Sequence, residues 1–267
     1  MGETLRIYAK LIGAQGRAQA SYRFSFWLDL CFNAVVVGGD LLALLVIFSR
    51  VPALGGFTVR EALVLFGLAL SSFSLADLLV GNIERIRTYV RMGQLDGVLI
   101  RPLGVLAQLL AMDVGYRRIG RVVYAVCVFV VALRYAHIDW TPARVALTLA
   151  GPLAGALFFV SYFVATSTVA FWWIESGELA NALTYGGRDF TAYPITVYGA
   201  WFRKVFAFGL GFAFVAYYPG LALLGKPDPL GGPSWLGWTC PLIALAAAGV
   251  AALAWRTGVR HYRSTGS

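Results

Sequence analysis

The chain has 267 residues with a formal charge of +9, and 59% of them are hydrophobic while only 13% are charged. Water-soluble proteins carry about a quarter charged residues, so this composition argues against a soluble enzyme, a disordered chain or a secreted disulfide scaffold. On a soluble protein the basic excess would suggest nucleic acid, but here the arginines flank apolar segments, as they do in membrane proteins. The sequence therefore predicts an integral membrane protein and no nucleic-acid partner.

Residues 1–23 are predicted to form an amphipathic helix on the cytoplasmic surface of the membrane. Apolar side chains recur there at helical spacing and are accompanied by basic ones: Leu5, Arg6, Tyr8, Lys10, Leu11, Ile12, Arg17 and Arg23. Such a helix buries its apolar face in the lipid interface, and its cations contact anionic headgroups. An ordinary juxtamembrane tail is the alternative interpretation of the same residues.

Residues 24–255 are predicted to form one all-α transmembrane domain, because a membrane-spanning helix needs about 20 mostly apolar residues. Six segments meet that requirement: 24–48, 62–83, 119–140, 145–174, 205–225 and 236–255. The third is the weakest, since Arg121 and Arg134 must both extend toward the membrane interfaces. Residues 256–267 are predicted to form a cytoplasmic tail.

The distribution of basic residues predicts the orientation of these spans. With the N-terminus inside, 17 of the 22 Lys and Arg residues lie on the cytoplasmic side. Cytoplasmic loops of membrane proteins are enriched in Lys and Arg, so both termini are expected to be cytoplasmic. The two long loops, 84–120 and 175–204, are then also cytoplasmic. The Gly and Pro residues that follow Pro219 predict a broken, partly re-entrant outer segment between spans five and six.

Acidic residues inside the predicted spans are candidates for function, because charge is costly within a bilayer. Asp40 lies nearest the centre of span one, and Asp77 lies in the final third of span two. Asp40 is either a polar point in a translocation path or part of an interhelical hydrogen bond that braces the bundle, and we favour the brace. The His and Cys residues show no metal-ligand spacing, so no metal site is predicted.

Predicted span five is unusually rich in aromatic residues, which occupy several faces of the helix: Phe206, Phe208, Phe212, Phe214, Tyr217 and Tyr218. Phe206, Phe212 and Tyr217 are candidates for lining the path of an amphipathic substrate. Packing against lipid and at the membrane interface is the alternative explanation.

The first long cytoplasmic loop contains the most informative pattern in the chain, Arg91-x-Gly93-x-Leu95-Asp96-x-x-Leu99-x-Arg101-Pro102-Leu103. This pattern resembles the signature of the type-2 ABC exporter permeases, in particular the six-span subunits of uncharacterised two-permease systems. Weaker similarities extend over nearly the whole chain: Gly55-Gly56-Phe57-Thr58 before Glu61, Tyr193-Pro194-Ile195-x-x-Tyr198, Tyr218-Pro219 and Tyr262-x-x-x-Gly266. Phe57 departs from the family pattern, in which Trp is expected.

The resemblance implies a permease with a coupling helix between spans two and three and an ATPase on a separate chain. ATP and Mg²⁺ would bind to that partner, so no cofactor and no catalytic residue is expected on this chain. A second permease, homologous or identical, and a location in the bacterial cytoplasmic membrane are also implied. The expected function is ATP-driven export of an amphipathic or lipid-like molecule. The alternatives are a glycolipid or polysaccharide carrier, a membrane-embedded enzyme, and a non-transporting scaffold.

Residues 84–101 are predicted to be the link to the ATPase. The residues expected to carry this coupling are Arg87, Arg91, Gly93, Asp96, Arg101 and Pro102. A glycine break and a helix-stopping proline suit a short helix docked in a groove. Arg87 and Arg91 are one helical turn apart and are expected to present a joint basic face to acidic residues of the ATPase. The alternative is that these arginines only satisfy topology and headgroup contacts.

Overall fold

The computed structural model describes residues 23–100, 104–112 and 118–262, and this part of the chain is helical, with no strand. The predicted all-α class is therefore confirmed. The predicted surface helix lies outside the described residues except for Arg23. Arg101 and Pro102 of the predicted coupling segment also lie outside them.

Eleven α-helices make up the described part of the chain. They are α1 (Arg23–Arg50), α2 (Val59–Val80), α3 (Ile86–Arg91), α4 (Gln94–Leu99), α5 (Val105–Met112), α6 (Ile119–Tyr135), α7 (Pro142–Thr168), α8 (Gly177–Thr191), α9 (Ala200–Arg203), α10 (Tyr217–Leu224) and α11 (Cys240–His261). A π-helical segment, Lys204–Gly209, continues α9, and short 3-10 turns occur in several of the connections.

Four helical segments are long and apolar enough to cross a membrane: Cys31–Arg50, Val59–Arg91, Pro142–Phe171 and Cys240–His261. A fifth is obtained only if the bent pair Ala200–Gly209 and Phe212–Leu224 is counted as one span. Predicted span three is shorter than expected, because α6 ends at Tyr135 after 17 residues, about 25 Å along its axis. Length and apolarity alone thus support four or five crossings in the described residues, rather than the six predicted.

Local sequence signals set the start of α2 and α7, which begin at the same end of the helical bundle. A capping box precedes α2, in which the Thr58 N–H donates to Glu61 Oε2 (2.7 Å). Pro142 is the first residue of α7. The backbone N–H groups of the first helical turn have no partner within the helix, so the lack of an N–H on proline costs nothing there. Residues 51–58 form the turn before α2, and Gly55 there has a φ of +57°. This end of the bundle is called the Gly55 end below.

The central helix of the bundle is α2, most of whose side chains are buried. It packs against α6, where the Ser71 hydroxyl donates to the Ala125 carbonyl oxygen (3.1 Å). On another side it packs against α7, where Gly155 lies directly against Ser72. Any side chain at Gly155 would overlap the serine hydroxyl, so the two helices approach as closely as small residues allow.

The opposite end of the bundle contains the ends of α2, α7 and α11 and the two short helices α3 and α4. There Gly258 of α11 lies against Thr168 and Phe171, at the end of α7. We call this end the Arg91 end, after the last residue of α3. The long helices α7 and α11 therefore run side by side toward the Arg91 end.

The helix α8 connects the two ends of the bundle. Its first residue, Gly177, lies against the Arg87 side chain at the Arg91 end. Thr196, which follows α8, donates a hydrogen bond to the Gly55 carbonyl oxygen (2.7 Å) at the other end. Residues 175–204 were expected to form a loop on one side of the membrane, whereas the structure places a helix there that extends between the two ends of the bundle. The low hydropathy of α8 concealed this helix, because its polar residues are typical of an exposed segment.

The segment predicted as span five, 205–225, is not one straight helix. Its two helical pieces meet at 67° beside Gly211, whose φ of +85° favours glycine. After the second piece, Lys226 Nζ donates to both Glu61 carboxylate oxygens (2.8 Å) at the Gly55 end. The first piece also begins near that end, and the bend reaches Phe158, about 24 Å from the start of α7. The structure is therefore a hairpin inserted from the Gly55 end, called the α9–α10 hairpin below.

Candidate functional site

The segment between α2 and α5 forms two six-residue helices, α3 and α4, where one docked helix was expected. Gly93 precedes α4 with a φ of +66°, which glycine adopts readily. The apolar faces of the two helices are buried against the bundle through Ile86, Val90, Leu95 and Val98. A displacement of this segment therefore also displaces the helices behind it.

The two arginines of α3 contact acids of the same chain. Arg91 forms an ion pair with Glu175, and Arg87 Nη1 lies 3.9 Å from Glu178 Oε1. The Arg87 side chain also fills the space beside Gly177. The basic face expected for an ATPase groove is therefore largely neutralised within the chain. These two acids were not predicted as partners of the arginines, because they follow α7 and lie far from α3 along the chain.

The exposed part of this segment is apolar instead. Met92 exposes 61% of its surface and Ile100 exposes 85%, and Leu99 is exposed as well. These three residues are called the apolar tip below. Large apolar side chains that are exposed together mark interaction surfaces. The apolar tip is thus better suited than the arginines to contact another protein directly.

The position of α4 is held by α5 and by the end of α11. Gln108 Nε2 of α5 donates to the Val98 carbonyl oxygen (3.1 Å). Tyr262, just after α11, lies beside Asp96, and burial together with this carboxylate raises the pKa of the Tyr262 phenol. Asp96 thus points toward the bundle, and contacts from both elements converge on the short helix α4.

A buried charge network joins α1, α2 and α6 near the Arg91 end. Asp77 is 1% exposed, and Arg121 Nη1 donates to its Oδ2 atom (2.7 Å). Arg121 Nε also donates to Asn33 Oδ1 (3.1 Å), and Arg118 Nη1 donates to the Asp77 carbonyl oxygen (2.8 Å). A buried carboxylate requires such pairing. Arg121 therefore points toward two neighbouring helices, although extension to the membrane interface was expected.

Asp40 forms an ion pair with Arg188 of α8. Arg188 is fixed by two further contacts: its guanidinium lies 5.7 Å from the Phe73 ring centroid, and its Nε lies 3.9 Å from Asp189 Oδ1. Asp40 lies about 15 Å from the end of α1, well inside the length of the bundle. The ion pair of Asp40 with Arg188 therefore connects α1 to α8 at this depth. The expectation of a cytoplasmic 175–204 loop hid this partner from sequence analysis.

The three aromatic candidates of predicted span five are distributed along the α9–α10 hairpin. Phe212 at the bend is 1% exposed, and Tyr217 is 2% exposed. Phe212 packs on Tyr162 with 4.9 Å between ring centroids, and the Tyr217 hydroxyl donates to Asp228 Oδ1 (2.5 Å). Phe206 is partly exposed. Phe212 and Tyr217 are thus packed inside the chain, and of the three only Phe206 reaches its surface.

The Gly55 end is closed by contacts between the α2 start and the hairpin. Lys226, which binds Glu61, also lies 4.9 Å from the Phe57 ring centroid. Phe57 is fully buried, and its ring lies 5.8 Å from that of Tyr217. The aromatic residue that departs from the family pattern therefore packs beneath the end of the hairpin.

The candidate acidic residues inside the bundle are engaged in ion pairs. In the described parts of the chain, no group of three or more His, Cys, Asp or Glu residues could hold a metal ion. The acids Asp40 and Asp77 are each paired with arginine. They therefore do not form the facing pair of carboxylates that general acid–base catalysis by two acids requires.

The structure defines a multi-pass membrane protein with a docked pair of short helices at one end and an inserted hairpin at the other. The sequence model of the ABC-2 family transporter proteins matches residues 34–266. The chain therefore belongs to the ABC-2 transporter family, which confirms the resemblance seen in its sequence. Permeases of this family normally work with an ATP-binding subunit, so the chain is a membrane permease of an ABC transporter. No curated protein and no solved structure matches it.

Proposed function

We propose that the chain is the six-span permease subunit of an exporter that moves an amphipathic or lipid-like molecule. The observation that carries this proposal is the exposed polar face of α8, a helix that runs between the two ends of the bundle. Asp189 on that face exposes 72% of its side chain. A carboxylate is costly against lipid. This face therefore borders a water-filled path or another protein.

Six helices cross the bilayer in this proposal: α1, α2, α6, α7, α8 and α11. The Arg91 end is cytoplasmic, because most basic residues outside the bundle belong to that side. Both termini are then cytoplasmic, and the α9–α10 hairpin enters the bacterial cytoplasmic membrane from outside. Its bend at Gly211 packs against Phe158, in keeping with the rule that non-helical backbone at membrane depth needs protein or water around it.

A second permease, identical or homologous, packs against the exposed face of α8 in this proposal. Ala182 and Gly186 lie on that face, and a Cβ added at Gly186 would meet no heavy atom within 4 Å. Small residues of this kind allow two membrane helices to approach closely. Asp189 is one turn away from Gly186 and would border the space between the two permeases, where an amphipathic molecule can move with its polar part in water.

The separate ATP-binding subunit, which holds ATP and Mg²⁺, docks on α3 and α4. The ATP-binding subunit contacts the apolar tip directly in this proposal, because the three apolar side chains of the tip are exposed. Arg87 and Arg91 do not contact the ATP-binding subunit in this proposal. They transmit its movement, because their ion pairs connect α3 to the start of α8. Movement of the ATP-binding subunit would then reach the polar face of α8 through two ion pairs. This arrangement supports coupling without any ATPase residue on the permease.

The proposal is tested by purifying the full-length chain together with its ATP-binding subunit and reconstituting the complex into lipid vesicles. We expect ATP hydrolysis to rise when a fluorescent short-chain phospholipid is supplied, and the lipid to move to the other leaflet only with ATP and Mg²⁺. ADP in place of ATP is the control. Stimulation by a lipid-linked glycan but not by phospholipid would favour the glycolipid alternative. Failure of any ATP-binding chain to associate would refute the proposal.

A further inference from the structure

A cavity of about 290 Å³ opens between α1, α2 and α8. Asp40 of α1 lines it on one side, and Arg188 and Asp189 of α8 line it on another. It is open to the exterior of the chain at the depth where the ion pair of Asp40 joins the two helices. The cavity is therefore a charged pocket within the length of the membrane helices, where an empty charged surface is costly.

The charges that line this cavity do not cancel. Among the described residues, its lining contains two carboxylates, Asp40 and Asp189, and a single cation, Arg188. Arg188 is engaged directly by Asp40, whereas its Nε atom lies 3.9 Å from the Asp189 carboxylate. Because Asp189 is also the most exposed of the three side chains, the unbalanced negative charge resides at the mouth of the cavity.

The rest of the wall is apolar and aromatic. Phe66, Ala69, Leu70 and Ala192 supply the apolar surface, and Tyr193 adds an aromatic ring. A cation is attracted by the face of such a ring as well as by a carboxylate. A molecule that fits this wall therefore has an apolar body and a positively charged group.

We propose that this cavity binds the cationic group of an amphipathic molecule, with Asp189 as its charge partner and Tyr193 against it. Arg188 is a positioning residue in this site, because it is held by Asp40 and by the ring of Phe73 and keeps the two carboxylates apart. The role of the cavity in transport rests on the proposed function. Equilibrium binding of a cation to the chain does not, so it can be measured without the ATP-binding subunit.

The experiment uses three ligands of the same shape class and different charge. Phenyltrimethylammonium is compared with its uncharged carbon analogue, tert-butylbenzene, and with benzenesulfonate, by calorimetric titration into the full-length chain in lipid nanodiscs. We expect the ammonium ion to bind at least about tenfold more tightly than either of the others, as a single ion pair with a cation–π contact requires. Equal binding of the three ligands, or tighter binding of the sulfonate, would overturn the proposal.

Variants of Asp189 localise that binding. Asp189→Asn keeps the size of the side chain and removes the surplus charge, so affinity for the ammonium ion should fall about tenfold. Asp189→Glu keeps the charge and should retain most of the affinity. Asp139→Asn removes an exposed acid outside the cavity and is the matched control. If Asp189→Asn binds the ion as the unaltered chain does, the cavity is not its site.

Discussion

Thr196 Oγ1 donates a 2.7 Å hydrogen bond to the carbonyl oxygen of Gly55. A Cβ at Gly55 would overlap the same threonine hydroxyl, so the two turns fit together only with glycine at this position. This contact brings the chain that follows α8 to the turn before α2. The direction of α8 and the side from which the hairpin enters both follow from it.

The first prediction concerns the topology of the chain around α8. In a background without Cys31, Cys127 and Cys240, we expect Val197→Cys to react with a membrane-impermeant maleimide from outside the cell. The reason is that Val197 lies beside Gly55 and is exposed. Gln94→Cys, at the Arg91 end, should react only after the membrane is permeabilised.

Ala53→Cys is the matched control for this experiment, because it lies in the same turn as Gly55 and should label from outside in every case. Labelling of Val197→Cys only after permeabilisation would restore the arrangement in which residues 175–204 are cytoplasmic. Outside labelling of Gln94→Cys would invert the whole orientation instead.

The second prediction concerns the link between α3 and α8. Both partners of the Arg91–Glu175 pair are more than half exposed, so Arg91→Glu should change the free energy of unfolding by no more than about 1 kcal/mol. The ATP-binding subunit should still co-purify, because the apolar tip is intact. Substrate-stimulated ATP hydrolysis should nevertheless fall, since α3 now repels the start of α8.

The exchange Arg91→Glu with Glu175→Arg should restore that stimulation, and Arg60→Gln at the Gly55 end serves as a neutral control. If the single variant keeps full stimulation, or the exchange restores nothing, the pair does not transmit movement. Loss of co-purification in the single variant would instead show that Arg91 contacts the ATP-binding subunit directly.

The third prediction concerns the apolar tip. Met92→Asp combined with Ile100→Asp places charges on side chains that are already exposed, so the fold should be preserved. A docking surface that depends on these residues should lose its partner, and we expect the yield of co-purified ATP-binding subunit to fall about tenfold or more. Leu230→Asp, an exposed apolar residue at the Gly55 end, is the control. Unchanged co-purification would exclude the tip as the contact.

The fourth prediction concerns the buried network around Asp77. Asp77→Ala leaves the guanidinium of Arg121 without its counter-charge, and removal of one partner of a buried pair costs about 3 kcal/mol or more. Thermal unfolding of the detergent-solubilised chain should show a clearly lower Tm. Asp77→Asn retains an acceptor and should lower the Tm less. Asp139→Asn, at an exposed site, should leave it unchanged. An Asp77→Ala protein with an unchanged Tm would show that water solvates the Arg121 guanidinium well enough to replace the carboxylate.

The long apolar segments could be predicted from the sequence, and the amphipathic segments could not. Predicted spans 145–174 and 236–255 correspond to α7 and α11, because a long uncharged run can only be a buried or lipid-facing helix. The helix α8 escaped prediction because Arg188 and Asp189 give it the composition of a loop. Their partner Asp40 was visible as a costly intramembrane acid, but one sequence does not show which distant cation neutralises it.

The break in predicted span five was expected near Pro219 and occurs earlier, at Gly211. Pro219 lies in the first turn of α10, where a backbone N–H would have no partner within the helix, so proline is tolerated there. The left-handed φ of Gly211 is the local cause of the bend. A glycine among apolar residues is common in membrane helices, so nothing in the sequence distinguished Gly211 from a glycine inside a straight helix. Its neighbours in the fold are Phe158 of α7 and Ile243 of α11, both far from it along the chain.

The last prediction compares two adjacent glycines of α8. Gly187 faces inward, where an added Cβ would overlap the Phe212 ring at the bend of the hairpin. Gly187→Ala should therefore destabilise the chain by about 1–3 kcal/mol, as overpacking of a tight contact does. Gly186 faces outward into open space, and Gly186→Ala should not lower the Tm, because the methyl group meets no atom and alanine favours a helix over glycine. Gly186→Leu should also keep the Tm of the single chain, but it should prevent two permeases from packing along α8, which crosslinking in membranes and the mass of the solubilised complex will measure. A Gly186→Leu protein that still forms the permease pair would place the second permease against another helix.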